Sequence, residues 1–80
     1  MTVRLTEGGE IELAGDCPGE EAEALLRHLI SAPGATVDWR GCDHAHTAVV
    51  QVLMASGARL RGPPRSRFLT QWVEPLLGAG

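Results

Sequence analysis

The sequence predicts an α/β domain in which a mixed four-stranded sheet carries its helices largely on one face, in the order β-β-α-β-α-β-α. Three observations predict it. The runs Val3-Arg4-Leu5, Ile11-Glu12-Leu13 and Ala58-Arg59-Leu60-Arg61 alternate apolar and polar residues, the period of half-buried strands. Longer stretches between and after them carry apolar residues at helical spacing. Beyond the first two strands, strand and helix alternate, which implies mostly parallel pairing through right-handed crossovers. Residues 1–80 make one domain with a modest core.

Each element has its own signal. Glu7-Gly8-Gly9-Glu10 is a turn, because glycine accepts positive φ, so residues 2–14 read as an antiparallel hairpin. Gly15 to Gly19 reads as a loop. Glu20, Glu21 and Glu23 crowd the start of a helix, where carboxylates favour the positive end of the dipole. Ala22, Leu25, Leu26, Leu29 and Ile30 form its apolar face, with Glu23, Arg27 and His28 outward, and Pro33-Gly34 stops it near Ala32. Ala35 to Trp39 is the third strand, and Gly41 is expected to turn the chain. The second helix starts at His46 or Thr47, runs to Ser56 and is closed by Gly57. Its residues Val49, Val50, Val52, Leu53 and Met54 leave little polar surface, so it is buried on most sides or meets a partner; a homodimer is one way to cover it. After the fourth strand, Gly62-Pro63-Pro64 is a loop. Ser66 is positioned to cap a last helix with Phe68, Leu69, Trp72, Val73, Leu76 and Leu77 on one face. Trp72 and Phe68 are expected in the core rather than in a ligand stack. Pro75 lacks an amide hydrogen and bends or breaks this helix, and residues 78–80 fray.

Composition narrows the function classes. A domain this small has little room for an enclosed substrate cavity, which favours a binding or signalling module over an enzyme. The net charge of −3 disfavours nucleic acid as a partner. The charge is uneven: residues 1–40 hold eight acidic groups against three arginines, and residues 41–80 hold two against four. No apolar run approaches the roughly 18 residues of a membrane span. The first six residues lack a basic segment followed by an apolar one, so a cytoplasmic location is expected. In a reducing cytosol Cys17 and Cys42 are expected as free thiols that pair only if the fold brings them together.

The residues able to carry chemistry gather at 42–47. Cys42, His44 and His46, with Asp43, are of types that suit zinc or copper, although familiar zinc spacings are missing and a further ligand would have to come from Cys17 or His28. Cys42 beside His44 or His46 also has the types of a nucleophile–base pair, without a glycine-rich oxyanion loop. Thr47 at a helix start is either its cap or a phosphoacceptor, since a phosphate there gains from the helix dipole. Arg59, Arg61 and Arg65, with Arg67, flank the proline loop and are candidates for anion binding or a protected sheet edge. No catalytic group and no cofactor are implied.

The layout resembles a small STAS domain, the family of bacterial anti-sigma-factor antagonists. In that family an apolar strand leads into a turn of the form Asp-Ser-Ser/Thr-Gly/Ala-Leu and then an apolar helix. Here Thr36-Val37-Asp38-Trp39 looks like the strand, Ala45-His46-Thr47-Ala48-Val49 stands at the turn, and Val50-Gln51-Val52-Leu53-Met54-Ala55 continues the helix. Ala58-Arg59-Leu60-Arg61-Gly62-Pro63 is similar to the following strand and its loop, and Ile11-Glu12-Leu13-Ala14-Gly15-Asp16 to the strand before the first helix. Ala45 or His46 replaces the family's Asp before the phosphoacceptor, and the chain is shorter than typical members. The resemblance implies a protein-binding regulatory module with Thr47 as phosphoacceptor and Asp43, His44, His46, Thr47 and Gln51 facing a kinase or anti-sigma-like partner. It equally accommodates a non-phosphorylated subunit of a transporter or signalling complex. A small metal-binding protein using Cys42, His44 and His46 is the alternative outside the family.

Overall fold

A mixed four-stranded sheet in the order β1-β2-β3-β4 organises the chain; the structure is a computed structural model and describes residues 3–77. β1 (Val3–Leu5) runs antiparallel to β2 (Ile11–Cys17), and β3 (Val37–Ala45) and β4 (Leu60–Arg61) follow in parallel. The hairpin turn closes through Gly9 at φ 81°, with the Thr6 hydroxyl accepting from the Glu10 amide at 3.2 Å. Thr2 and residues 78–80, with the fraying expected there, lie outside the described residues.

α1 (Glu21–Ser31) joins β2 to β3, and α2 (Thr47–Ser56) joins β3 to β4. Both crossovers step the same way across the sheet, so right-handed connections put both helices on one face, where they touch each other. Gly57 ends α2 at φ 63°, a left-handed cap that glycine takes without a Cβ penalty. The last segment, α3 (residues 67–77), is irregular. Ser66 Oγ accepts from the Leu69 amide at 3.3 Å. A π-helical stretch covers Leu69–Val73, and Glu74–Leu77 tightens to a 3₁₀ turn around Pro75, which has no amide hydrogen to continue the wider ladder.

The core lies between sheet and helices: Val3, Ile11, Leu13, Cys17, Leu25, Val37, Trp39, Cys42, Val49, Leu53, Leu69 and Val73. The opposite face of the sheet is charged. One register row runs Arg4, Glu12, Asp38, Arg61 across all four strands. Arg4 Nε meets Glu12 Oε1 at 2.6 Å, Arg61 pairs with Glu10, and Arg40 Nη2 meets Asp38 Oδ2 at 2.9 Å. The side-chain hydrogen bond from Arg40 holds the Asp38 carboxyl below the usual carboxylate range, against the opposing effect of desolvation.

Three expectations are corrected. β3 does not end at Trp39, and Gly41 does not turn the chain. The pairing Glu12↔Asp38 is followed by Ala14↔Gly41, and Gly15↔Cys42 by Asp16↔His44, so β3 gains one residue at each of two bulges. These keep it paired to the end of β2, which itself extends through the expected loop to Cys17. They also explain why the inward residues are Val37, Trp39 and then Cys42, three positions on. Second, Phe68, Trp72 and Leu76 are 63%, 66% and 67% exposed, because α3 turns Leu69 and Val73 to the core and these three away from it. Trp39 is the core aromatic instead. Third, the apolar face of α1 is narrower than its spacing implies: Leu25 is buried, and Leu26 and Ile30 are exposed.

Candidate functional site

The carboxyl ends of parallel strands β2 and β3 are where the helix starts gather, the usual location of sites in sheets of this kind. Cys17 pairs with Ala45 at the last rung, and the Cys17 carbonyl accepts the His46 amide at 2.9 Å. That bond sets where α2 begins.

His46, not Thr47, is the N-cap. Its backbone is extended at φ −63° and ψ 152°, and its Nδ1 accepts the Ala48 amide at 3.0 Å. An imidazole nitrogen accepts only when unprotonated, so the cap requires the neutral ring with its hydrogen on Nε2. The ring lies over Gly19, where a Cβ would stand 3.1 Å from Nδ1 and 3.2 Å from Cε1. Glycine at 19 is what admits the ring. The His46 carbonyl receives the amides of Val49 at 2.9 Å and Val50 at 3.2 Å.

Thr47 is therefore the first helical residue. It is exposed, and its hydroxyl makes no hydrogen bond among the described residues. Gln51, one turn on, is also exposed, and Met54 continues this rim at 51% exposure. Asp43 and His44 are exposed on the strand leading in. Asp43 is the extra residue of the second bulge and meets Arg65 Nε at 3.6 Å. His44 Nδ1 meets Asp16 Oδ1 at 3.1 Å with both side chains about three-quarters exposed, a pair that solvent screens heavily.

Cys42, His44 and His46 do not form a ligand set. Cys42 is buried, with its Sγ directed to the His44 carbonyl at 3.5 Å and to Cys17 Sγ at 3.9 Å, while the two histidines serve Asp16 and the helix cap. Among the described residues no group of three or more His, Cys, Asp or Glu side chains is placed to hold a metal ion. Nor is Cys42 arranged as an exposed nucleophile: the hydrogen bond with Cys17 and then burial push its thiol well above the ordinary cysteine range. The thiolate is the reactive form.

The arginines do not converge either. Arg61 is paired with Glu10 on the open sheet face, and Arg65 is turned to Asp43. Arg59 lines a shallow groove of about 590 Å³ between the C-terminal ends of α1 and α2, with Leu26 and Ile30. This groove lies at the far end of α2 from Thr47, about 15 Å away at 1.5 Å per residue.

The His46 cap and the buried Cys17–Cys42 pair are the features that sequence reasoning missed. Gly19 and His46 are too far apart in sequence for their packing to be read locally. Comparison with protein-family models, curated proteins and solved structures returns no match to this chain.

Proposed function

We propose that this protein is a STAS-like regulatory module that acts by binding another protein, with Thr47 as a phosphorylation switch. Its docking surface would comprise Asp43, His44, His46, Thr47 and Gln51. The observation that carries the reading is the division of labour at the start of α2. His46 supplies the cap, so the Thr47 hydroxyl is exposed and, among the described residues, uncommitted. Phosphorylation there would break no hydrogen bond among the described residues.

The geometry also favours a particular mechanism. The amides of Ala48, Val49 and Val50 are already engaged by His46. A phosphate on Thr47 would gain from the helix dipole but would find few amides to bind. Its charge of about −1.5 to −2 would therefore project from the surface. The same end of the sheet bears Asp16, Glu20 and Asp43. Adding charge to an acidic rim repels an acidic partner and penalises a desolvated interface, so phosphorylation releases the partner.

The second reading is a constitutive subunit of a transporter or signalling complex. It is favoured by His46 standing where the resembled family has an acidic residue. A pull-down from source-cell lysate with wild-type, Thr47→Ala and Thr47→Glu baits separates the two. Retention of one kinase-like, ATP-binding protein by wild type and Thr47→Ala, and its loss with Thr47→Glu, supports the switch. The switch reading is overturned if all three baits hold the same partner.

A further inference from the structure

Cys17 and Cys42 lie 25 positions apart in sequence, yet the β2–β3 pairing sets their sulfurs 3.9 Å apart in the core. Both are reduced thiols with no exposed surface. Each carries a backbone carbonyl that holds a neighbouring segment. The Cys17 carbonyl holds the His46 amide at 2.9 Å, and the Cys42 carbonyl accepts from the amides of Arg65 at 3.1 Å and Ser66 at 3.3 Å. Cys17 is also the last residue of its strand, followed by Pro18 and Gly19, so the pair is near the end of the sheet rather than at its middle.

We propose that Cys17 and Cys42 form an oxidisable dithiol site that a peroxide converts to an intramolecular disulfide. The sulfurs must approach from 3.9 Å to a bond length of about 2.05 Å, a movement of about 2 Å shared between two side chains and the bulged end of β3. In the buried pair both sulfurs keep their protons, so the first step starts when local opening of the strand end admits water and peroxide: one sulfur gives its proton to that water and, as thiolate, attacks the peroxide oxygen. The O–O bond breaks, one water leaves after protonation, and a sulfenic acid remains. In the second step the other sulfur attacks the sulfenic sulfur and releases a second water. The sum is two thiols and one hydrogen peroxide giving one disulfide and two waters.

Burial selects the oxidant. Hydrogen peroxide is near the size of water and enters through local opening at the end of the strand. A glutathione-sized disulfide meets two sulfurs with no exposed surface. The product links β2 to β3 across the crossover that contains α1, and it removes chain entropy from the unfolded state. The oxidised protein is expected to melt at higher temperature than the reduced one. This inference is independent of the Thr47 reading, because neither sulfur belongs to the proposed docking surface.

The test uses the wild-type chain. An equimolar mixture of unlabelled and isotope-labelled protein is treated with hydrogen peroxide, alkylated under denaturing conditions and cleaved after arginine. Cleavage after Arg27 and Arg40 places the two cysteines in separate peptides, 5–27 and 41–59. The expected result is a linked peptide pair, about 2 Da lighter than the sum of its thiols. It should be all-light or all-heavy, and thiol reductant should dissolve it. Recovery of both cysteines as alkylated thiols would overturn the inference. So would separate sulfinic acids, or links that mix light and heavy chains.

Discussion

Replacing His46 by alanine should destabilise the domain, and replacing Thr47 by alanine should not. His46→Ala removes the acceptor of the 3.0 Å bond from the Ala48 amide and empties the space over Gly19. An N-cap truncation of this kind costs about 1 kcal/mol. In a domain of 60–100 residues, 1 kcal/mol corresponds to a fall of about 4–8 °C in Tm. Thr47→Ala removes an exposed side chain with no hydrogen bond among the described residues and places a better helix former in the first turn. Its effect should lie within about 0.5 kcal/mol of zero. His46→Asp should recover most of the loss, because a carboxylate accepts the same amide and suits the helix dipole. The assay is urea and thermal unfolding of the four proteins followed by circular dichroism. If Thr47→Ala costs as much as His46→Ala, then Thr47 caps the helix and the argument for an uncommitted hydroxyl fails.

Other predictions concern the core and the open sheet face. Trp39→Ala should cost about 3–5 kcal/mol, and Trp72→Ala less than about 1 kcal/mol, because the first side chain is fully buried and the second is 66% exposed; equilibrium denaturation of both variants decides it. Gly62→Ala should be strongly destabilising, since its Cβ would stand 2.7 Å from Trp39 Nε1 and 3.0 Å from Glu74 Oε2; a wild-type melting temperature in that variant would contradict the packing. Asp38 has its folded-state pKa lowered, chiefly by Arg40. Its contribution to stability is therefore present above the ordinary carboxylate pKa and is lost as pH falls through the folded value. Asp38→Asn should be less stable at neutral pH and lose less on acidification, and an unchanged pH–stability slope would refute that role.

Legibility followed the range of the forces involved. The Gly8-Gly9 turn, the Pro33-Gly34 stop, the Gly57 cap and the Ser66 cap were readable because each rests on contacts within a few residues. So was the order of elements, because two-residue and helical periods are local patterns. The end of β3 was not readable. Gly41 and the polar run after it look like a turn in isolation, but β2 continues far enough to pair with them, and two bulges absorb the mismatch. The candidate site was legible in its residues and not in its roles. Thr47 and His46 are adjacent and both able to cap; the glycine that admits the imidazole ring lies across the crossover at position 19.

By itself, then, the sequence determined an α/β chain with its helices stopped and started in the right places, and it located the polar residues at the head of α2. Tertiary structure decided which tryptophan is buried, because Trp39 faces the helices from a central strand while α3 turns Leu69 and Val73 to the core and Trp72 away from it. It also decided that Cys17 meets Cys42, that three arginines go separate ways, and that His46 rather than Thr47 closes the helix. Each of these depends on which strands lie side by side and in what register. Register is set by the packing of one whole face against another, a sum over residues distant in sequence that no local pattern contains.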